Sequence, residues 1–306
     1  MLRLLDSLSL PGDPAKPNED SFAHADAAAL VMDGATMLGD PLMPGPSDAA
    51  WIAQFGARRL MAHLQDQEPK KALRAAMADA EKSFAALARA PMAHPWQMPC
   101  ASVMLAFSCP LRPSQPRKVA TGTSPASADA RGGGGPGARI EFLWLGDCGA
   151  IISDDSGVTV IGETIARRAE ESGRARRIAR EKNVSSAAPG VRAQFMDHLR
   201  AARARVNSGA YWLFTPNKRA AAHARRKIVK VESGALLLLA SDGFLALASD
   251  YGAYDAAGLV AAAKEKGLAA MGAELRAIED GDAVGDKFAR FKKSDDATAL
   301  LLEVTS

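Results

Sequence analysis

A chain of 306 residues, 48% hydrophobic and 24% charged, is long enough to bury a full core and is too apolar for global disorder. Its three cysteines, Cys100, Cys109 and Cys148, form no CxxC pair, which argues against a disulfide framework or a thiolate zinc site and suits a reducing cytosol. Net charge is only +3, yet residues 167–230 hold 17 Lys or Arg against 4 Asp or Glu, so this stretch could meet an anionic partner or simply present a solvated arginine-rich helical face.

In chain order, residues 1–10 are too short, and carry Asp6 in the wrong place, for an apolar signal core. Residues 21–24 and 28–32 read as strands meeting at a turn, the second ending at Asp33-Gly34. After a Pro/Gly-rich loop, Ser47 offers an N-cap to a helix with Trp51, Ile52, Phe55, Leu60, Met61 and Leu64 at helical spacing, and residues 70–90 repeat the pattern in alanine-rich form. Residues 101–107 form a strand whose hairpin partner is 140–145, which leaves 110–139 as a Pro/Ser/Gly-rich insertion expected to be disordered. Strands at 150–153 and 158–161 precede a basic, variable flap region spanning 163–227. Strands at 228–232, 235–240 and Ala297–Val304 follow, with helices at Ala256–Lys266 and 268–278. The longest apolar runs, such as 235–240, cannot span a bilayer, and the reading is a single cytoplasmic domain, 1–306, without membrane contact. Strands in hairpins and helices in pairs predict a layered α+β fold.

Four acidic clusters lie at the edges of these elements: Asn18-Glu19-Asp20, Asp33-Gly34, Asp242-Gly243 and Asp295-Asp296. A carboxylate beside a glycine suits a hard cation, because glycine lets the backbone approach the ion and add a carbonyl oxygen. Two divalent ions held by scattered acids can activate water and neutralise phosphoryl oxygens, with no protein nucleophile.

Competing signatures fail on context. The literal GxGxxG at 132–137 lies in low-complexity sequence, and Asp280-Gly281-Asp282-Ala283-Val284, a DxDxV pattern, follows a helical stretch instead of a strand. No cysteine has C-x5-R spacing, and neither a GxSxG elbow nor a GxxxxGK[ST] loop exists. His24 could orient a water at the metals, though a lone histidine is usually structural, and the other histidines show no ligand spacing. Tyr211, Trp212 and Phe214, amid basic residues, could contact a partner or bases but are rather expected to pack the flap against the core, and Met98 and Met104 to fill it.

Read in order, N-E-D-S-F, V-M-D-G-A-T, C-A-S-V-M-L-A, L-W-L-G-D-C-G, L-L-A-S-D-G-F and S-D-D-A-T-A-L-L-L resemble the signature blocks of the metal-dependent protein Ser/Thr phosphatases of the type 2C family, as its bacterial members show them. The resemblance implies a four-layer α-β-β-α sandwich of two antiparallel sheets, with a binuclear Mn²⁺ or Mg²⁺ centre at one end and phosphorylated proteins as substrates. By that resemblance Asp33 would bridge the two ions, while Glu19, Asp20 and the carbonyl of Gly34 would serve one of them, directly or through water. Asp242 and Asp295 would hold the other ion, and Asp147 with Asp242 would help to bind the third ion of bacterial members. Departures are equally plain. The loop reads Asp33-Gly34-Ala35-Thr36-Met37 and lacks the histidine that some members use as general acid. Ala15 stands where the family usually has a phosphate-holding arginine, with Lys16 the nearest substitute, and Cys148-Gly149 replaces a Ser-Arg pair. A second reading is therefore a degenerate member that binds phosphoprotein or a regulatory partner without hydrolysing it. A third, association with nucleic acid, rests on charge alone.

Overall fold

The computed structural model describes residues 1–109, 138–162 and 192–305, together with positions 173, 174, 176, 177, 180, 181, 185 and 187. The expected insertion, apart from its last two residues, and much of the basic segment between 163 and 191 lie outside the described residues.

Among the described residues, ten strands form two antiparallel sheets. One has the order β1 (Leu2–Leu10), β10 (Ala297–Val304), β9 (Leu236–Ala240), β6 (Gly149–Asp154) and β7 (Gly157–Ile161). The other has β2 (Asp20–Ala25), β3 (Ala28–Gly34), β4 (Ala101–Cys109), β5 (Ala138–Leu145) and β8 (Arg225–Val231). Helices α1 (Asp48–Leu64) and α2 (Pro69–Leu87) cover the β3 sheet, while α4 (Asp242–Ser249), α5 (Ala256–Lys266) and α6 (Leu268–Gly281) cover the β9 sheet. A further helix, α3 (Arg192–Arg203), belongs to the basic region. No helix among the described residues is long and apolar enough to cross a membrane.

The layering follows from the two-residue period of strands. In β3, Leu30 and Met32 pack against α1 and α2, whereas Ala29 and Val31 face the opposite sheet. In β9, Leu237 and Leu239 face between the sheets, and Leu238 and Ala240 meet the outer helices. Strand β10 divides its apolar run in the same way, Leu300 and Leu302 inward, Ala299 and Leu301 outward. A strand buried on both faces thus reads as an unbroken apolar run, and the result is the α-β-β-α sandwich.

The expected β4–β5 hairpin forms, with register running from Val103 opposite Leu145 to Cys109 opposite Arg139. Ser47 caps α1, its hydroxyl accepting from the Ala50 N–H at 3.2 Å. Two elements escaped the sequence pattern. Strand β1 pairs with β10 through a register shift between Leu4 and Asp6, and as an edge strand it buries little beyond Leu2 and Leu8, so its alternation is weak. Asp6 accepts from the Leu268 N–H at 2.7 Å at the start of α6. Helix α4 begins immediately after β9 and buries residues 242–247 in succession, which hides its amphipathic period.

Candidate metal centre

At one end of the sandwich the carboxylates of Asp33, Asp147 and Asp242 each present an oxygen within 4.8 Å of the others. Three elements bring them together. Asp33 ends β3, opposite Asp20 of β2 in the cross-strand register. Asp147 follows β5 at a turn where Gly146 adopts φ +80°, a conformation that side chains resist. Asp242 opens α4, where its charge faces the positive end of the helix.

Close backbone packing explains the glycines that follow Asp33 and Asp242. A Cβ on Gly34 would strike the carbonyl oxygens of Glu19 and Ala49, and one on Gly243 would strike the carbonyl oxygen of Asp296. The D-G pairs therefore let three chain segments converge at backbone contact.

Hydrogen bonds then fix the ring around the floor. Asp147 accepts from the Ser102 hydroxyl at 2.5 Å and from the Tyr211 phenol at 2.9 Å. Asp296 accepts from the backbone N–H groups of Gly12 and Glu19 at 2.6 and 2.7 Å, tying the segment before β2 to the start of β10. Arg276 of α6 donates to the Asp295 carbonyl at 2.8 Å. Glu19 accepts the hydroxyls of Thr36 at 2.5 Å and Ser47 at 2.6 Å, so its carboxylate braces the Asp33 loop from behind and stands outside the three-carboxylate group. Asp295 borders the same cleft and ion-pairs with Lys292, whose ammonium also reaches the Thr36 hydroxyl at 3.4 Å.

Asp20 stands buried among like charges. It is 4% exposed, and neither carboxylate oxygen has a hydrogen-bond partner among the described residues. Burial pushes its carboxyl well above the ordinary range; the nearby hydroxyls of Ser241 and Thr298 oppose this without reaching hydrogen-bond geometry, and the charges of Asp295 and Asp296 add to it. Asp33 is likewise raised well above the ordinary range, by burial first and then by Asp242, Asp20, Asp295 and Asp147. Unpartnered buried carboxylates beside like charges are costly unless a cation joins them, and an all-oxygen donor set suits Mg²⁺ or Mn²⁺. The residues present therefore fit a divalent ion.

The floor opens into a cleft of about 470 Å³. Helix α3 supplies one wall and is held at both sides. Arg200 donates to the Leu38 carbonyl at 2.8 and 3.1 Å and lies 4.5 Å over the Trp96 ring, while Arg203 donates to the carbonyls of Ala35 and Thr36. On the other side buried Phe195 meets Phe291 edge to face, with ring centroids 5.4 Å apart.

The structure thus gathers Asp33, Asp147 and Asp242, sets Asp20 opposite Asp33 and brings Asp295 to the rim. Lys16 does not line this cleft; three-quarters exposed, it pairs with Asp13 at 3.3 Å. His24 donates to the Leu2 carbonyl at 2.7 Å and joins β2 to β1. Asp280 and Asp282, the DxDxV acids, lie at the end of α6 and pair with Lys293 and Arg290. Cys148 is fully buried, and burial followed by the charges of Asp33 and Asp147 pushes its thiol well up, which makes it an inert core residue. Of the aromatic trio, Phe214 is buried and Trp212 stacks on His223, but the phenol of Tyr211 serves Asp147, a role its sequence context did not signal. Lys292 and Arg203 were also missed, since nothing distinguishes them locally from the neighbouring basic residues.

Comparison with solved structures places this sandwich among the type 2C phosphatase folds. The Mycobacterium tuberculosis serine/threonine phosphatase PstP/Ppp superposes with TM-score 0.53 at 16% identity over 100% of this chain and 99% of that one. A catalytic domain of PstP in complex with two manganese ions gives TM-score 0.50 at 15% identity, with 100% of both chains covered. Stp1 from Staphylococcus aureus gives 0.51 at 10% identity over 98% of this chain and 94% of that one. No protein-family model matches the sequence, and no curated protein sequence matches it.

Proposed function

We propose that the chain is a metal-dependent phosphoprotein phosphatase of the type 2C kind, hydrolysing phosphoserine or phosphothreonine. The observation that carries this reading is the convergence of Asp33, Asp147 and Asp242 within 4.8 Å beside the buried, unpartnered Asp20, in a fold shared with known Ser/Thr phosphatases. Asp20, Asp33, Gly34, Asp147, Asp242 and Asp295 would hold Mn²⁺ or Mg²⁺, two ions with a third near Asp147 and Asp242, and Glu19 would support them through the Asp33 loop. When bound, such ions lower the pKa of water and neutralise the phosphoryl oxygens.

The chain's own residues supply position. Ser102 and Tyr211 orient the Asp147 carboxylate, Asp296 clamps the segment carrying Glu19 and Asp20, and Arg276 holds the Asp295 backbone. The loop after Asp33 offers Ala35, Thr36 and Met37 and no imidazole to protonate a leaving alkoxide, and His198 is the histidine that lines the cleft among the described residues.

The test is hydrolysis of a phosphothreonine peptide and of p-nitrophenyl phosphate by the purified chain with Mn²⁺, with Mg²⁺ and with EDTA. Turnover with Mn²⁺ that EDTA abolishes is expected. Absence of turnover with every ion, in folded protein, would replace this reading with a phosphoprotein-binding member that has lost catalysis.

A further inference from the structure

The cleft is electrically lopsided. On the side of α4 and α6 its cations meet acids: Arg290 pairs with Asp282 at 2.7 Å and Lys292 pairs with Asp295, while Glu279 takes Arg276 at 2.6 Å and Asp250 adds a further carboxylate. The α3 side differs. Arg174, His198, Arg203 and Arg205 border the cleft there, whereas the acids described between 173 and 206, Glu181 and Asp197, do not line it. Divalent ions on the floor would offset its carboxylates, so the α3 wall is the charged surface that a substrate then meets.

Local structure aims these charges. His198 and Ala202 stand one helical turn apart on the face of α3 that borders the cleft. Arg205 follows in the turn that closes the helix, its N–H donating to the Ala202 carbonyl at 3.1 Å, and both it and Arg174 are exposed. Arg203 donates to the carbonyls of Ala35 and Thr36, partners without formal charge, so it adds its own charge to the wall while fixing α3 beside the Asp33 loop. We infer that this wall selects phosphopeptides with acidic side chains next to the phosphorylated residue, Arg205 and Arg174 being the specificity-determining contacts. The inference rests on the phosphatase reading above and adds a substrate class to it.

The chemistry suits the task. An extended peptide advances about 3.3 Å per residue, so the residues flanking a phosphate held on the floor run along the cleft walls within a few positions. Aspartate or glutamate there meets the planar fork of an arginine, which matches a carboxylate with two parallel hydrogen bonds, whereas lysine or arginine there meets like charge. Because Arg174 and Arg205 are exposed, the preference they confer is moderate and weakens with salt.

The experiment uses the full chain with Mn²⁺ and phosphothreonine peptides that differ only in their flanks, acidic, neutral or basic. Peptide affinity is read by fluorescence anisotropy, inorganic phosphate affinity by competition, and kcat/KM by phosphate release. The variants are Arg205→Ala, Arg174→Ala with Arg205→Ala, Arg205→Lys and, as a control, Arg219→Ala, at an exposed arginine that does not border the cleft. Wild type should bind and turn over the acidic peptide about 5- to 20-fold better than the neutral one, the scale of two exposed ion pairs, and the basic peptide less well than the neutral one. That ratio should shrink between about 0.1 M and about 1 M salt. Arg205→Ala should cut it about threefold, and the double variant should bring it to within about twofold of unity. Arg205→Lys should restore part of the ratio, and Arg219→Ala should leave it as in wild type. A wild-type ratio near unity, or one that survives the double variant, overturns the inference. So does an equal loss in Arg205→Ala for the acidic peptide, the neutral peptide and inorganic phosphate, which would make the arginine a grip on the phosphate itself. If the acidic peptide binds preferentially through Arg205 yet no peptide is hydrolysed, the inference about the wall stands and the phosphatase reading falls.

Discussion

The floor and the α3 wall of the cleft are built in opposite ways. Floor carboxylates stand at the ends of strands and of one buried helix, converge through glycines at backbone contact, and are braced by side chains from other segments, Ser102, Tyr211 and Arg276 among them. Among the described residues, wall helix α3 is polar and is anchored by Phe195 against Phe291 on one side and by Arg200 and Arg203 on backbone carbonyls on the other. Such a contrast puts the geometry of the candidate site on the sheets, where packing over-determines it, and leaves one wall of the cleft on a polar helix.

The sharpest way to break this comparison is at Asp33. Asp33→Asn should lower Mn²⁺-dependent turnover by about 10³-fold, the scale of losing several kcal/mol of metal-assisted stabilisation, while circular dichroism stays native. Full activity in that variant would remove the metal assignment.

Next in size is the effect of the ion on stability. Because the floor crowds acids around an orphaned Asp20, Mn²⁺ at about 100 times its Kd should stabilise the fold by about 2.7 kcal/mol and raise the melting temperature, with EDTA reversing the shift. No shift in wild type, or an equal shift in Asp33→Asn, would show that the floor does not bind the ion.

The wall should answer differently. Phe195→Ala removes the buried anchor of α3, so proteolysis and amide exchange within Arg192–Arg203 should accelerate about tenfold or more, while kcat/KM for p-nitrophenyl phosphate changes by less than about threefold. A larger effect on the phosphothreonine peptide than on the small ester would place substrate recognition on this wall; equal losses would tie α3 to the floor.

The smallest effect concerns the support of the Phe291–Lys292 segment. Burial acts to raise the Asp282 carboxyl, but the Lys287 N–H, the Arg290 guanidinium and the Phe288 N–H outweigh it and hold the group below the ordinary carboxylate value. With the folded pKa depressed, this contribution is present above about pH 4 and is lost as pH falls through the carboxylate range. Asp282→Asn should cost about 1–3 kcal/mol at pH 7 in urea unfolding, and the gap to wild type should close below about pH 4. A gap that persists unchanged in acid would mean that the charge is not what stabilises the loop.

Much of the floor was legible because its chemistry is local. Asp33-Gly34 and Asp242-Gly243 announce themselves as acids beside glycines at the edges of apolar runs, and Asp295 adjoins the last strand. Glu19 was legible as an acid but not in its place, since its bonds to Thr36 and Ser47 depend on how the Asp33 loop folds back toward α1. Tyr211 reaches Asp147 across 64 positions, and Lys292 reaches Thr36 across 256, separations at which no periodicity or spacing speaks. Strand β1 and helix α4 were hidden for related reasons, one exposing too much apolar surface and the other burying residues 242–247 in succession, so that neither shows a clean pattern.

The sequence by itself determined the alternation that divides each apolar strand between two layers, the helical faces that cover them, and the glycines that allow acids to meet at backbone distance. Those are properties of neighbours along the chain, fixed by rise, period and side-chain volume. Only the tertiary structure decided which acids share a floor, which one is left buried without a partner, and which of many lysines and arginines faces them. Those outcomes depend on distances between segments far apart in the chain, and electrostatic energy is set by distance and burial, which the order of residues alone does not contain.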